Sequence, residues 1–435
     1  MTATVKQDGT RVDCQVAVIG AGMAGMAAAI FAADHGLSVV QVGKASETSF
    51  SSGCLDLFSC IPGRKPDKFE DPFKGIDALI SRQPDHPYAR VSRDEIVQGF
   101  EMFTGFMNRA GIQYHCTSRT NQHIITPAGT LKSTWCVPSA MIAGTRALAE
   151  RKQILIVDIR GLKGFGARQM AQSLRATHPC LSSVTVEFPG REKAGDLMCE
   201  RLTWDLETPD VLSRFIKVLR PHTGGYDAVG LPAILGVYRF EELRDKIARA
   251  LGTEVFEIPT LAPSVTGMRT KEAFLGQLSQ TSVRHFPVSV ASVRTDEAGG
   301  FRFDVSEGMN TLDIHAEHLV LATGRFMGRG LGVNPDGTVE ERLFDLPVVQ
   351  PGHRSDWFKK DFFNAEGHPI NRSGINTDKV FRPLGADGNI YHPNLYAAGS
   401  ILAHQDWKRE KSGSGISIAT AYKAVSHLAK SLETS

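Results

Sequence analysis

The residues best placed to do chemistry in this chain are glycines in three groups far apart in sequence: Gly20, Gly22 and Gly25; Gly324; and Gly399, Gly413 and Gly415. Gly20-Ala21-Gly22-Met23-Ala24-Gly25 follows the apolar run Val16–Ile19 and precedes an alanine-rich stretch that Gly36 can end. That pattern reads as strand, tight turn and helix. In such a unit the first glycine permits the turn and the second lets a pyrophosphate approach the backbone. The third lets the helix pack on the strand, and the helix N-terminus, here Met23 and Ala24, faces the phosphate charge. The spacing predicts a dinucleotide-type ligand.

Leu37–Val42 reads as the second parallel strand. An Asp or Glu usually follows it to hold a ribose hydroxyl, whereas this chain has Gly43-Lys44. The ribose must then be held by backbone, by Lys44 or by Glu47, or the cofactor lacks that ribose. FMN therefore stands beside FAD. The loop Ser49–Leu57 leaves the carboxyl end of this strand, where ligands of open parallel sheets lie. Ser51, Ser52 and Gly53 are expected to touch the cofactor there, the alternative being an ordinary polar turn. His318–Gly324 is an apolar strand pattern ending in Ala-Thr-Gly, which brings backbone close to a ligand at the same sheet edge. Near the C-terminus, Asn394–Ser400 precedes a second glycine-rich helix start, Ser412–Ile416, whose amides at Gly415 and Ile416 could face an electron-rich ring edge. Together the three segments, with Gly399 and Ser400, converge better on a flavin than on a nicotinamide.

The elements that must carry these loops follow from the rest of the chain. With 435 residues there is room for two or three domains. The 49 basic and 47 acidic side chains leave no strong field to favour nucleic acid. No apolar run approaches the ~20 residues of a membrane span, and Met1–Arg11 is too polar for a secretory signal, so a cytoplasmic location is expected. The seven cysteines are scattered and never form Cys-x-x-Cys, which argues against an iron–sulfur cluster or a structural metal. Cys14 reads as a core residue and Cys54 as a candidate for function.

We expect an α/β fold: a Rossmann-like flavin-binding domain with a parallel sheet, formed by residues 12–60 and 257–435 and interrupted by a large inserted α/β cap region at 61–256. Within the insertion, 62–87 should be largely loop. Ser92 and Glu95 should cap a helix to Arg109. Residues 113–116, 123–126 and 130–135 should form a small sheet. The runs 154–159, 184–188, 228–231 and 255–258 should alternate with helices near 165–177, 211–220 and 238–251. After the insertion come a helix near 271–280 and strands at 288–294, 301–306 and 311–315.

These residues carry a resemblance. The nucleotide-binding segments resemble the glutathione reductase and fumarate reductase type of flavoprotein. Residues 50–57, 86–88, 126–135 and 261–269 are similar to the family of anaerobic glycerol-3-phosphate dehydrogenase B subunits, and the likeness runs from about Asp13 to the C-terminal helix. It implies an FMN-associated flavoprotein subunit, with FAD as the alternative, working with a second flavoprotein subunit and an iron–sulfur subunit. The complex oxidises sn-glycerol 3-phosphate to dihydroxyacetone phosphate and feeds electrons to quinone, with fumarate or nitrate as terminal acceptor. Such a subunit would sit peripherally on the cytoplasmic face of the inner membrane through its partners. Gly43 and Ser400 depart from the wider class, which places acidic residues there. Hydride chemistry needs a base and an anion binder. His404, His86 and His123 are candidates for the first, and Arg269, Lys408 and Arg409 for the second. Other readings are a stand-alone flavin reductase of the fumarate reductase type, acting through Arg269 and His404, and a non-catalytic assembly subunit.

Overall fold

Valines and isoleucines alternate too little in Arg11–Ile19 (β1) for a one-sided strand, and Val16, Ala17 and Val18 are fully buried, as expected of a parallel strand covered on both faces. The computed structural model describes residues 6–433. In it β1 leads into the helix Met23–Asp34 (α1), then the strand Val39–Val42 (β2). Gly36, at φ +77, follows the helix end. Two helices come next, Pro72–Arg82 (α2) and Arg93–Arg109 (α3). Later in the chain lie the strands Val283–Phe286 (β3), Phe301–Glu307 (β4), Asn310–Leu321 (β5) and Leu395–Ala397 (β6), and the long helix Gly413–Glu433 (α4).

Among the described residues these strands form most of an eight-stranded sheet, with β3, β2, β1, β5 and β4 as consecutive neighbours. β3, β2, β1, β5 and β6 run parallel, and β4 returns antiparallel. The register sets Ile19 opposite Val42 and Leu321, and Leu321 opposite Ala397. Four strands therefore end level at the carboxyl edge, and the residues that follow them, Gly20, Gly43, Ala322 and Ala398, form one row.

This sheet belongs to a compact unit comprising residues up to Glu47, Asp56–Arg109 and everything from Phe274 on; Thr48–Leu55 and Ala110–Ala273 form a second unit. The division differs from the expected insertion at 61–256. Residues 61–109 pack with the flavin-type sheet because α3 lies along α4: Lys423 Nζ meets Glu95 at 2.6 Å, and Gly99 faces Tyr422 so closely that a Cβ there would stand 3.0 Å from the Tyr422 Cβ. The capping box is formed, with Ser92 N–H donating to Glu95 at 2.8 Å and Glu95 N–H to Ser92 Oγ at 3.3 Å. The expected loop at 62–87 contains α2, whose N-cap Asp71 accepts from Phe73 and Lys74 ahead of Pro72. Of the strand expected at 288–294 only the end forms, as Arg294–Thr295 paired antiparallel with Phe301 and Arg302, and β3 precedes it, ended by Pro287, which has no N–H for the ladder. The strands expected at 311–315 and 318–321 are one continuous β5.

The second unit centres on a parallel sheet ordered Leu181–Val186, Ile154–Ile159, Ala228–Pro232 and Glu254–Ile258. Its core gathers Ile154, Ile156, Met170, Phe256 and Ile258. Instead of one small sheet, the preceding segment makes two ladders, Tyr114–Cys116 with Cys136–Pro138 and Gln122–Ile125 with Leu131–Thr134. Cys116 and Cys136 lie opposite each other and are disulfide-bonded. Cys54 is buried in an apolar cluster with Ile124, Val137 and Met141. Among the described residues no three His, Cys, Asp or Glu side chains gather in a way that could hold a metal, and no helix is long and apolar enough to cross a membrane.

Candidate functional site

The row of residues at the carboxyl edge of the larger sheet begins with Gly20. It turns at φ +125, its N–H donates to Val42 O at 2.7 Å, and a Cβ there would stand 2.1 Å from Ala322 O. Buried Gln41 steadies this turn, its Nε2 donating to Gly20 O at 3.2 Å. Gly25 is equally constrained, since a Cβ would lie 2.0 Å from Gly20 O, so the helix reaches the turn only without a side chain. Gly22 is different: a Cβ there would meet nothing within 4 Å. It is the N-cap of α1, which has no side-chain cap and no acidic residue in its first turn. The positive end of the helix, at Met23 and Ala24, thus lacks an internal carboxylate. An open glycine before an uncapped helix start is the cradle a phosphate or pyrophosphate requires, and these residues fit a flavin nucleotide.

The structure brings further predicted residues to this cradle. A Cβ on Gly399, which has φ +79, would stand 2.5 Å from the Cβ of Ala24, and one on Gly324, at φ +69, would stand 3.4 Å from Ser400 Oγ. Gly43 explains the missing carboxylate, because a Cβ at that position would lie 2.7 Å from Ala21 N. Any acid there would displace the glycine turn. Lys44 is exposed beside it, and the side chain of Glu47 lies outside those described.

Gly415 and Ile416 do not behave as expected. Gly415 N–H donates to Asp56 O at 2.7 Å and Ile416 N–H to Ser412 O at 2.8 Å, so both amides already have protein acceptors. A Cβ on Gly415 would stand 2.1 Å from Tyr88 Oη. Its glycine serves packing rather than an open ligand approach.

Among the candidate histidines, His404 is half-buried. It sits at φ +66, a strained conformation for a residue with a Cβ, between Ala403 and Gln405. Its Nε2 is 2.7 Å from Asn376 Oδ1 and its N–H donates to Arg372 O. Burial pushes its pKa down, with Arg90, His86 and Arg372 adding to the effect and Asp85 opposing it. Arg325, directly after Gly324, secures this loop: its guanidinium donates to Asn371 O, to Leu402 O at 3.0 Å and to Gln405 O at 2.9 Å. Burial pushes the Arg325 pKa down to about 10, and it stays cationic at neutral pH. Sequence reasoning missed Arg325 and Asn376; an arginine closing a buried Ala-Thr-Gly strand end was the available signal.

His86 has a structural role instead. It is fully buried, its Nδ1 accepts from Tyr88 N–H at 3.2 Å, and its Nε2 faces buried Glu410 at 3.3 Å. Both ring nitrogens are engaged. Burial alone would raise the Glu410 pKa, but hydrogen bonds from His86, the Asp406 N–H and Ser412 outweigh it and hold the carboxyl below its ordinary value. Lys408 is exposed and lies over the Trp407 ring at 5.3 Å, and Arg409 reaches Asp406 at 3.9 Å.

The remaining predicted residues belong to the second unit. Ser51 O accepts from Ser264 Oγ at 2.5 Å, Ser52 Oγ accepts from Lys132 Nζ at 2.9 Å, and Gly53 O accepts from Tyr114 Oη at 2.8 Å. Lys132 lies within the 126–135 motif. His123 pairs with Ser133 Oγ at 3.2 Å across the hairpin. Arg269 is no free anion binder: it is buried, forks onto Glu257, donates to Gly236 O at 2.6 Å and lies 4.5 Å from the Phe240 ring centre. A guanidinium so fully paired is the cationic half of an internal ion pair.

The fold and cradle agree with what the chain is similar to. A family model described as FAD binding domain matches residues 15–416. The B subunit of the anaerobic glycerol-3-phosphate dehydrogenase of Vibrio vulnificus is 31% identical over 422 residues, covering 94% of this chain and 95% of the relative. The protein of the same name from Vibrio cholerae is 31% identical over 95% of this chain and 96% of its own length. A probable one from Halobacterium salinarum is 32% identical over 95% and 97%. Among solved structures, quinol fumarate reductase from E. coli is a distant likeness, at TM-score 0.41 and 10% identity over 97% of this chain and 71% of that one. The chain is a flavoprotein of the FAD-binding-domain family and belongs, within it, to the family of anaerobic glycerol-3-phosphate dehydrogenase B subunits.

Proposed function

We propose that this chain is the flavoprotein B subunit of a complex that oxidises sn-glycerol 3-phosphate to dihydroxyacetone phosphate. Its partners are a second flavoprotein subunit and an iron–sulfur subunit, through which electrons reach the quinone pool at the cytoplasmic face of the inner membrane, with fumarate or nitrate as final acceptor. The observation that carries the reading is the open cradle at Gly22, joined by Ala24, Gly324, Gly399 and Ser400, on a chain that matches B subunits over 94% of its length.

Bound there, a flavin supplies the two-electron acceptor. FMN is the favoured form, because the place of the usual ribose carboxylate is closed by the approach of Gly43 to Ala21, while the first turn of α1 still offers amides to a phosphate. His404 is the proposed base. With Nε2–H donated to Asn376, Nδ1 is the atom that takes the hydroxyl proton, and burial keeps the ring neutral. Arg325 positions this loop. A stand-alone reductase using Arg269 for its substrate has less support, since Arg269 is paired with Glu257.

The test is to purify the chain, release its ligand by heat and identify it, then assay the assembled complex with glycerol 3-phosphate and a quinone. FMN and turnover that requires the partners are expected. FAD would overturn the FMN assignment, and full-rate oxidation by the chain alone would overturn the subunit role.

A further inference from the structure

The second unit carries a disulfide that neither the glycine cradle nor the proposed base uses. Cys116 and Cys136 face each other at the end of the ladder that pairs Tyr114–Cys116 with Cys136–Pro138. Cys116 is exposed, whereas Cys136 is fully buried. We propose that this pair is a thiol–disulfide exchange site, opened by dithiol reductants that attack Cys116, and that its redox state sets how firmly the segment Gly53–Leu55 is held.

The chemistry follows from the unequal burial. Exchange requires a thiolate to reach one sulfur of the pair while the other leaves, and only Cys116 is open to solvent. The incoming thiolate bonds to Cys116 Sγ, the bond between the two cysteines breaks, and Cys136 leaves with the electron pair and takes up a proton. A monothiol stops there. The ladder keeps Cys136 opposite the mixed disulfide, where it returns the attack and expels the monothiol. The second thiol of a dithiol instead attacks its own sulfur in the mixed disulfide and releases Cys116. In sum the dithiol gives up two electrons and two protons: it becomes an internal disulfide, and the cysteines become two thiols. In a cytoplasmic setting disulfides are mostly transient, catalytic or redox-sensing, so the location proposed above agrees with exchange, although the chemistry does not depend on it.

The ladder leans on this staple. It is three residue pairs long, and one member is Pro138, which has no N–H to donate. The cross-link joins positions 20 residues apart and closes the base of the hairpin Gln122–Ile125 with Leu131–Thr134. Gln122 spans the same base, its Nε2 donating to His115 O at 2.8 Å and to Trp135 O at 3.0 Å. Reduction therefore loosens the base without releasing the hairpin. Both strands of the ladder also hold Gly53–Leu55. From the first, Tyr114 Oη donates to Gly53 O at 2.8 Å. From the second, Leu55 N–H donates to Cys136 O at 3.0 Å, while Leu55 O accepts from Cys136 N–H at 3.1 Å and from Thr134 Oγ1 at 3.1 Å. The segment is pinned to two strands that the disulfide ties together.

The experiment uses the full-length, flavin-loaded chain and counts alkylated cysteines by mass after denaturation. The folded protein is first left untreated, or exposed to dithiothreitol, or to glutathione at the same thiol concentration. The five cysteines outside the pair should be labelled in untreated protein and all seven after dithiothreitol, whereas glutathione should leave most of the pair oxidised. Peptide mapping should place the new labels at Cys116 and Cys136. Hydrogen exchange at the Leu55 and Cys136 amides should quicken about tenfold on reduction, with flavin content unchanged. Cys116→Ser should show the fast exchange with or without the dithiol, and where that variant does not fold, the oxidised and reduced wild type still give the comparison. Seven labels in untreated protein overturn the pairing. Five labels after dithiothreitol, rising to seven only when the reductant follows denaturation, make the bond a permanent cross-link and overturn the exchange site. Equal reduction by glutathione overturns the requirement for a dithiol, and equal amide exchange in the two states overturns the link to Gly53–Leu55.

Discussion

Two glycine-rich helix starts in this protein look alike in sequence and are opposite in structure. At Gly20–Gly25 the outer glycines are pressed against backbone while Gly22 faces open space before an uncapped helix. At Gly413–Gly415 the chain is filled in: Gly415 meets Tyr88 and Leu57, and its amide is taken by Asp56. Glycine removes a Cβ in both places, but in the first the vacated space is available to a ligand and in the second to the protein itself. The pattern of glycines announces a close approach, and the neighbours decide what approaches.

The largest expected effect tests the closed end. Glu410 beneath it is buried with His86, and His86→Ala would strand its charge, costing about 3–5 kcal/mol of stability in urea unfolding, while the folded fraction keeps its flavin. The Glu410 contribution has a pH signature. Its folded pKa lies below the ordinary carboxylate value, so the stabilisation is full above about pH 4.5 and is lost as pH falls through the lowered value. A His86→Ala protein of unchanged stability would mean that the pair is not what closes this end.

Gly415→Ala comes second. The new methyl would press on Tyr88 Oη and Leu57 O, with an expected loss of about 1–3 kcal/mol from overpacking and no change in flavin affinity once folded. Gly22→Ala should do the reverse: flavin affinity, followed by fluorescence titration, falls about tenfold, or about 1.4 kcal/mol, whereas stability moves by less than about 0.5 kcal/mol. If the two substitutions had the same profile, the contrast between an open and a closed start would be lost.

The smallest effect is a displacement on the pH axis. Because burial lowers the His404 pKa, its neutral form persists below the ordinary histidine value of about 6.5. The acid limb of kcat/KM for the assembled complex should therefore lie below that value, activity falling only as pH drops further, and His404→Gln should abolish the limb along with most of the rate. A limb at or above pH 6.5 that survives in His404→Gln would assign the proton to another group.

Much of the fold was legible because its signals are local. The capping box at Ser92 and Glu95, the buried run Val16–Ile19 and the parallel strands of the second unit each follow from a few adjacent residues. The helix Pro72–Arg82 was obscured by a composition rich in Pro, Asp and Lys, although Asp71-Pro72 is itself a helix-start signal. The pairing of Cys116 with Cys136 depends on a strand register that spacing alone does not define. The cradle was readable for the same local reason, down to the absent acid at Gly43. The roles of His86, Arg269 and Gly415 were not, because each depends on a partner far away in sequence: Glu410 for His86, Gly236 together with Glu257 for Arg269, and Asp56 for Gly415.

Arg325 has a consequence for motion. One guanidinium joins the end of β5 to the backbone at Asn371, Leu402 and Gln405, so none of these stretches can open without breaking bonds shared with the others. They are expected to open as a single cooperative unit, with amides that exchange with solvent together in a hydrogen-exchange measurement. The histidine carried on that loop is therefore no independent flap: its departure requires a local unfolding event at the edge of the flavin cradle itself.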